Sequence, residues 1–366
     1  MPFTASELQQ KRQILEQNIK ARGELTAPDI LQKSDLFFDL AGEDIGRRLL
    51  LTTGADGTNY CLRPDFTLPI AAAYVQKHPQ FDEKSYGYLG PVFRQRENGP
   101  AEFDQAGLEF LAAQDEEAAF QQCLDFAIET AALYGEEKPR LHLGAVDLFE
   151  ALLDQIDLPD VWRPRVRDRF GHDAAMGRLL DRLFAPEGLQ DQPDLPKDFE
   201  AAKAKILAMM EEAGLSPYSG RSADEIAERY LEKRQLADAP VPAATVRTLR
   251  EFLSITGRAH EQVFHITALA QKVGINLDPQ LERLSARLTQ LKSDAPQIEV
   301  EFDAGFSPRL DYYTGHVFEL TSNLTGDVLA SGGQYDRLLQ RLGAQKQVTA
   351  IGCAVWVDRL EQGGTR

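Results

Sequence analysis

Strand-forming segments occur only towards the two ends of this chain, with an almost wholly helical stretch from about 145 to 295 between them. A sheet buries its apolar face only against another layer. The two ends are therefore expected to build one core, residues 1–144 with 296–366, and 145–295 to be a helical insertion. In the first end, YCLRPDFTLPIAAAYVQKH (60–78) reads as a strand end, a loop and a helix starting near Pro69, where proline is welcome. YGYLGPVFRQRE (86–97) and EFDQAGLEFLA (102–112) read as an antiparallel pair joined by the NGPA turn. An amphipathic helix follows from about 113 to 135. Thr4 and Glu7 form a capping box for a first helix that Gly23 would end, and SDLFFDLAG and RRLLLTTG read as short strands and turns. Asp147 and Ser222 mark helix starts in the middle stretch, and the proline-rich APEGLQDQPDLPKD separates two helical groups. Beyond 297 come QIEVEFD, HVFEL and DVLAS as strands. A glycine-bearing turn SGGQYDRLLQRLG then enters a helix, and TAIGCAVWVDRLEQ reads as strand into helix.

Function classes narrow on composition. The net charge of −17 disfavours a polyanionic partner such as tRNA, because phosphate contacts call for a basic face. No apolar run approaches a bilayer span, and the polar N-terminus MPFTASELQQKRQ has no secretory core, so a cytoplasmic protein is expected. Cys61, Cys123 and Cys353 have neither zinc nor redox spacing, and the six histidines form no HExxH pair; buried free thiols and no metal or cofactor are expected.

Several polar positions suggest a ligand. Along EFDQAGLEFLA, Phe103, Gln105, Gly107 and Glu109 share one face. Glutamine, glycine and glutamate in succession suit either a solvated face or a site where glycine admits a close ligand. Asp65 and Thr67 offer a carboxylate and a hydroxyl, matched to an ammonium or to helix capping by Thr67. Arg94 and Arg96 share a strand face, as an anion fork or as partners of Glu97 or Glu102. Tyr312 and Tyr313 in DYYTG place phenols beside glycine, where Tyr313 can bond an imidazole nitrogen or simply pack.

Taken in order, these segments resemble histidyl-tRNA synthetase: LRPDFTLPIA its LRPEGT segment, GPVFRQRE with EFDQAGLEFLA its motif 2, SPRLDYYTGHVFEL its RGLDYY segment, SGGQYDRL its GGRYDGL, and IGCAVWVDRL its motif 3. The resemblance spans the chain apart from the helical middle. It implies an α+β fold of the class II aminoacyl-tRNA-synthetase type, an antiparallel sheet flanked by helices, with a helical insertion. It further implies that Asp65, Thr67 and Gln105 hold the α-amino group of L-histidine, that Glu109 and Tyr313 address the ring nitrogens, with Arg94 and Tyr312 in the same pocket, and that Pro28 sits at a homodimer interface. Arg359 would remain from the nucleotide site.

The departures bear on chemistry. The family's catalytic arginine two residues before LDYY is Pro308 here, with Arg309 one place late, and in a strand such a shift reverses the face. The motif 2 loop NGPAEF has no arginine, Trp356 replaces a motif 3 glycine, Gln334 and Arg337 alter the GGRYDGL pattern, and no anticodon-binding domain is expected. Activation of an amino acid needs preorganised positive charge on the triphosphate, each lost donor costing roughly two to three decades in rate. The chain thus resembles the regulatory subunits of ATP phosphoribosyltransferase, synthetase paralogues without catalysis of their own. That resemblance implies a short-form catalytic partner, a hetero-oligomer and feedback by histidine. The alternatives are a truncated ligase that adenylates histidine, with Arg94 and Arg359 as its remaining cations, and a sensor of tRNA-like ligands.

Overall fold

The computed structural model describes residues 3–40, 45–96, 99–184, 195–214, 221–308 and 312–363. It divides into two units, residues 1–151 with 252–366, and Leu152–Glu251. The helical stretch expected over 145–295 is thus split. Its helices Ala259–Val273 and Asp278–Asp294 belong to the first unit, as does a short strand within it.

The strands are β1 (Glu24–Leu25), β2 (Leu31–Lys33), β3 (Leu51–Thr53), β4 (Asn59–Leu62), β5 (Lys84–Phe93), β6 (Glu102–Leu111), β7 (Arg140–Ala145), β8 (Thr256–Arg258), β9 (Glu299–Asp303), β10 (His316–Thr321), β11 (Val328–Gln334) and β12 (Ala350–Trp356). Among the described residues nine of them form one sheet in the order β1-β5-β6-β12-β11-β10-β7-β9-β8. It is mainly antiparallel, with parallel pairs only at β1–β5 and β7–β9. Its centre alternates between strands from the two ends of the sequence, so neither end completes it alone. The helix Glu116–Leu133, capped by the Asp115 side chain, buries Phe120, Cys123, Leu124 and Phe126. All three cysteines are free and buried.

A small second sheet, β2-β4-β3, lies before the central strands. It is tied to the large one by main chain: Leu49 bridges Arg94, and Gln95 N donates to Arg48 O at 2.8 Å. Around it Ile30, Leu31, Phe38 and Leu51 are exposed.

Several expectations need correction. DLFFDL at 35–40 is a helix rather than a strand, and SGGQ is the end of β11 rather than a turn, with the helix starting at Asp336. The first helix stops at Lys20, capped by Ala21 and short of Gly23, while its Thr4–Glu7 capping box is present. Ser222 likewise caps Ala223–Ala237 in the second unit, whose local core gathers Ala202, Ile206, Met210, Ala227 and Tyr230. The proline-rich segment falls largely outside the described residues.

Candidate functional site

Cross-strand register gathers the polar residues of β6 on one face of the large sheet. Glu109 stands opposite Tyr86 on β5 and Gly352 on β12, Gly107 opposite Tyr88 and Ala354, and Gln105 opposite Gly90 and Trp356. Gly352 in turn faces Gly333 on β11. Directly opposed residues share a face, so glycines recur beneath the polar groups. A β-carbon on Gly352 would strike the Glu109 carboxylate, and one on Gly107 would strike the Tyr88 hydroxyl and the Cys353 carbonyl. Glycine at these positions leaves the space that those side chains occupy.

Gln105 and Glu109 are 2% and 0% exposed, which removes the solvated-face reading. Glu109 accepts hydrogen bonds from Thr67 Oγ1 at 2.5 Å and from the Tyr335 hydroxyl. Burial nevertheless dominates and pushes its pKa up to about 8, against the pull of those two bonds and with a further push from Asp65. The Gln105 Oε1 has no partner among the described residues. An unmet buried acceptor costs about 1–3 kcal/mol.

Asp65 and Thr67 exchange the roles expected of them. The helix begins at Thr67, and the Asp65 carboxylate caps it by accepting from Leu68 N at 3.1 Å, while Thr67 turns its hydroxyl to Glu109. Burial raises the Asp65 pKa, against that backbone bond and the attraction of Arg94 and Arg63. Phe66 between them stacks on Tyr88 at 4.3 Å and has the Arg63 guanidinium 3.9 Å from its ring centroid. The Tyr88 hydroxyl donates to Cys353 O at 3.1 Å.

The two arginines of FRQR part company. Arg96 pairs with Asp358 at 2.6 Å and lies over Phe103, rather than pairing with Glu102; Glu97 falls outside the described residues. Arg94 forms no ion pair among the described residues. Burial lowers its pKa to about 10, Asp65 opposes this, and Arg96, Arg359 and Arg48 add to it, so it stays cationic at neutral pH. Arg359 is engaged internally, donating to Val328 O at 2.5 Å and sitting 5.1 Å from the Trp356 ring.

Tyr312 and Tyr313 are buried, with ring centroids 5.4 Å apart, and Tyr312 meets Tyr335 edge-on at 5.8 Å. The charge of Glu109 and that of Asp65 both act on each of these phenols, whose pKa values burial drives upward. Thus Asp65, Thr67, Arg94, Glu109, Tyr312 and Tyr313 share one neighbourhood, and Gln105 stands on the same strand face. Sequence reasoning missed Tyr335 and Tyr88. Tyr335 lay inside the quoted SGGQYDRL, but reading that stretch as a turn hid its approach to Glu109. Pro308 is buried and lies in no strand, while Arg309 falls outside the described residues.

An ammonium would find Asp65, Gln105 and Thr67, a carboxylate Arg94, and a heteroaromatic ring Glu109 and the phenols. The sequence model of the family "Histidyl-tRNA synthetase" matches residues 2–192 and 202–360. Proteins named ATP phosphoribosyltransferase regulatory subunit match along nearly the whole length. Those of Chelativorans sp. (strain BNC1) and Brucella canis are each 37% identical, with 92% of this chain and 92% of the relative covered. The chain belongs to the ATP phosphoribosyltransferase regulatory subunits.

Among solved structures, an ATP phosphoribosyltransferase regulatory subunit/histidyl-tRNA synthetase from Bacillus halodurans has a TM-score of 0.66 at 20% identity, with 98% of this chain and 79% of that one covered. An ATP phosphoribosyl transferase (HisG:HisZ) complex from Thermotoga maritima gives 0.56 at 15% identity, with 95% and 96% covered. These likenesses carry the fold, the α+β class II synthetase type. Members of this family are named as regulatory rather than catalytic subunits. No described helix is long and apolar enough to cross a membrane.

Proposed function

We propose that this regulatory subunit senses L-histidine in the pocket over β6 and β12, assembles with a short-form catalytic ATP phosphoribosyltransferase subunit in the cytoplasm, and adjusts that subunit's activity. What supports the reading is a group of side chains whose chemistry suits an amino acid, beside cations that are already bonded within the protein. Asp65, Thr67, Gln105, Arg94, Glu109 and Tyr313 supply the first. Trp356 shares the face with Gln105, and Arg96 and Arg359 already bond within the protein. The relatives' names support the partner, and the two-component HisG:HisZ complex from Thermotoga maritima supports a hetero-oligomer. Regulation then requires that histidine bind two states of the complex unequally. Pro28 borders a 640 Å³ groove near the exposed Ile30 and Leu31, which supports a homodimer through this end of the core.

Calorimetry with L-histidine and then ATP tests the reading, followed by catalytic-subunit activity with and without this chain. Histidine binding, silence with ATP and a change in the partner's activity are expected; unchanged partner activity at every ratio refutes the regulatory role. Arg94, which forms no ion pair among the described residues and lies 5.2 Å from the Phe103 ring, favours one second reading, adenylation of histidine. Histidine-dependent exchange of pyrophosphate into ATP would establish it instead.

A further inference from the structure

Glu109 is fully buried, so a ligand reaches its carboxyl group only when a side chain of the protein moves aside. The two oxygens differ in what holds them. Oε2 accepts from the Tyr335 hydroxyl and lies against Gly352, where a β-carbon would strike it. It is the inner oxygen. Oε1 accepts from the Thr67 hydroxyl at 2.5 Å.

The groups around this carboxyl are not equally movable. Tyr335 is buried, and its ring packs edge-on against the buried Tyr312. Tyr88 is buried too, stacked on Phe66 and bonded to Cys353 O. Turning either ring away means repacking a close-packed interior. Thr67 is half-buried and has a single torsion, χ1, to change between staggered positions. Its main chain has no need to follow. Thr67 opens the helix Thr67–Lys77, and the cap comes from Asp65, which accepts from Leu68 N. The hydroxyl of Thr67 therefore has no duty at the helix end. Its one hydrogen bond is the one to Glu109.

We propose that Thr67 covers the site in the empty chain, its hydroxyl holding Oε1 of Glu109, and that the ring of an incoming amino acid takes that place as Thr67 turns towards the ligand's ammonium. This rests on the reading of the pocket as a histidine site. A hydroxyl both donates and accepts, so the same group serves Glu109 in one state and an ammonium in the other. The empty site is bonded to itself, and the affinity for a ring is lowered by the bond that must break.

NMR titration of the full chain with 4-methylimidazole, the ring without ammonium or carboxylate, separates the cover from the rest of the site. Thr67→Ala removes the hydroxyl at a half-buried position whose helix keeps its cap. It should bind 4-methylimidazole about tenfold more tightly than wild type, the worth of one hydrogen bond to a carboxyl group. Thr67→Ser, which restores the hydroxyl, should return to the wild-type value. With L-histidine in calorimetry the gain in Thr67→Ala is offset by the lost contact to the ammonium, so the preference shifts towards the bare ring. Binding of 4-methylimidazole by Thr67→Ala that is absent, or no tighter than in wild type, overturns the proposal. L-histidine binding that is lost in Arg94→Ala then leaves the histidine site standing. If L-histidine binds neither wild type nor any variant, the histidine reading falls and the cover with it.

Discussion

Glutamine in place of Glu109 should make the protein more stable at high pH while disabling the pocket. Burial moves this carboxyl from an ordinary 4.5 to about 8. At about 1.4 kcal/mol per decade, the shift corresponds to on the order of 5 kcal/mol. The folded state keeps the proton between pH 4.5 and about 8, where the unfolded chain has released it. Folding is then linked to proton uptake, and stability falls as pH rises through that window. Below 4.5 both states are protonated and the group's favourable contribution is fully present; above 8 it is lost. Glu109→Gln keeps the shape, can still bond Tyr335 or Thr67, and has no proton to lose. Urea denaturation of both proteins at pH 5 and pH 8.5 reads the effect, since groups remote from Glu109 cancel in the comparison. The variant should gain roughly 3–5 kcal/mol relative to wild type between the two pH values. A difference that stays within about 1 kcal/mol would mean that Glu109 is ionised throughout and that its hydrogen bonds, not its burial, set its state.

Removing the Arg94 guanidinium by alanine should weaken L-histidine binding about 10- to 100-fold in calorimetry, the worth of a charge-assisted bond to a carboxylate. Gly352→Ala should cost at least about 2 kcal/mol in chemical denaturation, because its β-carbon meets the Glu109 carboxylate; normal stability would show that Glu109 has room to move aside. Tyr313→Phe should weaken histidine more than tenfold yet leave thermal stability within about a degree or two, if its hydroxyl serves the ligand rather than the fold. Leu31→Glu with Leu51→Glu should turn the homodimer proposed above into a monomer by sedimentation, with the fold intact because both side chains are exposed in the single chain.

The segments most legible in the sequence were those whose pattern is local. The capping box at Thr4, the paired strands around NGPA and the Gln105–Gly107–Glu109 face depend only on near neighbours, and periodicity carries such information. What escaped was set by distant contacts. SGGQ reads as a turn because its glycines signal flexibility, yet they lie between β10 and β12, where β-carbons would collide with Gly352 O and His316 O. Asp35–Leu40 is apolar without a helical or strand period to separate the alternatives. The assignment of Thr67 as a cap failed because Glu109, far away in sequence, competes for its hydroxyl and wins by being buried. The partner of Arg96 is Asp358, which no local spacing could indicate.

The bridge from Leu49 to Arg94 makes the small sheet a brace. Two peptide groups, at Arg48 and Gln95, connect a strand system with exposed leucines to the cation that would meet a ligand carboxylate. Peptide groups are planar and their hydrogen bonds directional, so the link fixes the local register of the two segments. The residues that face outwards on the small sheet and the cation next to Asp65 are thus held in one continuous run of main-chain hydrogen bonds.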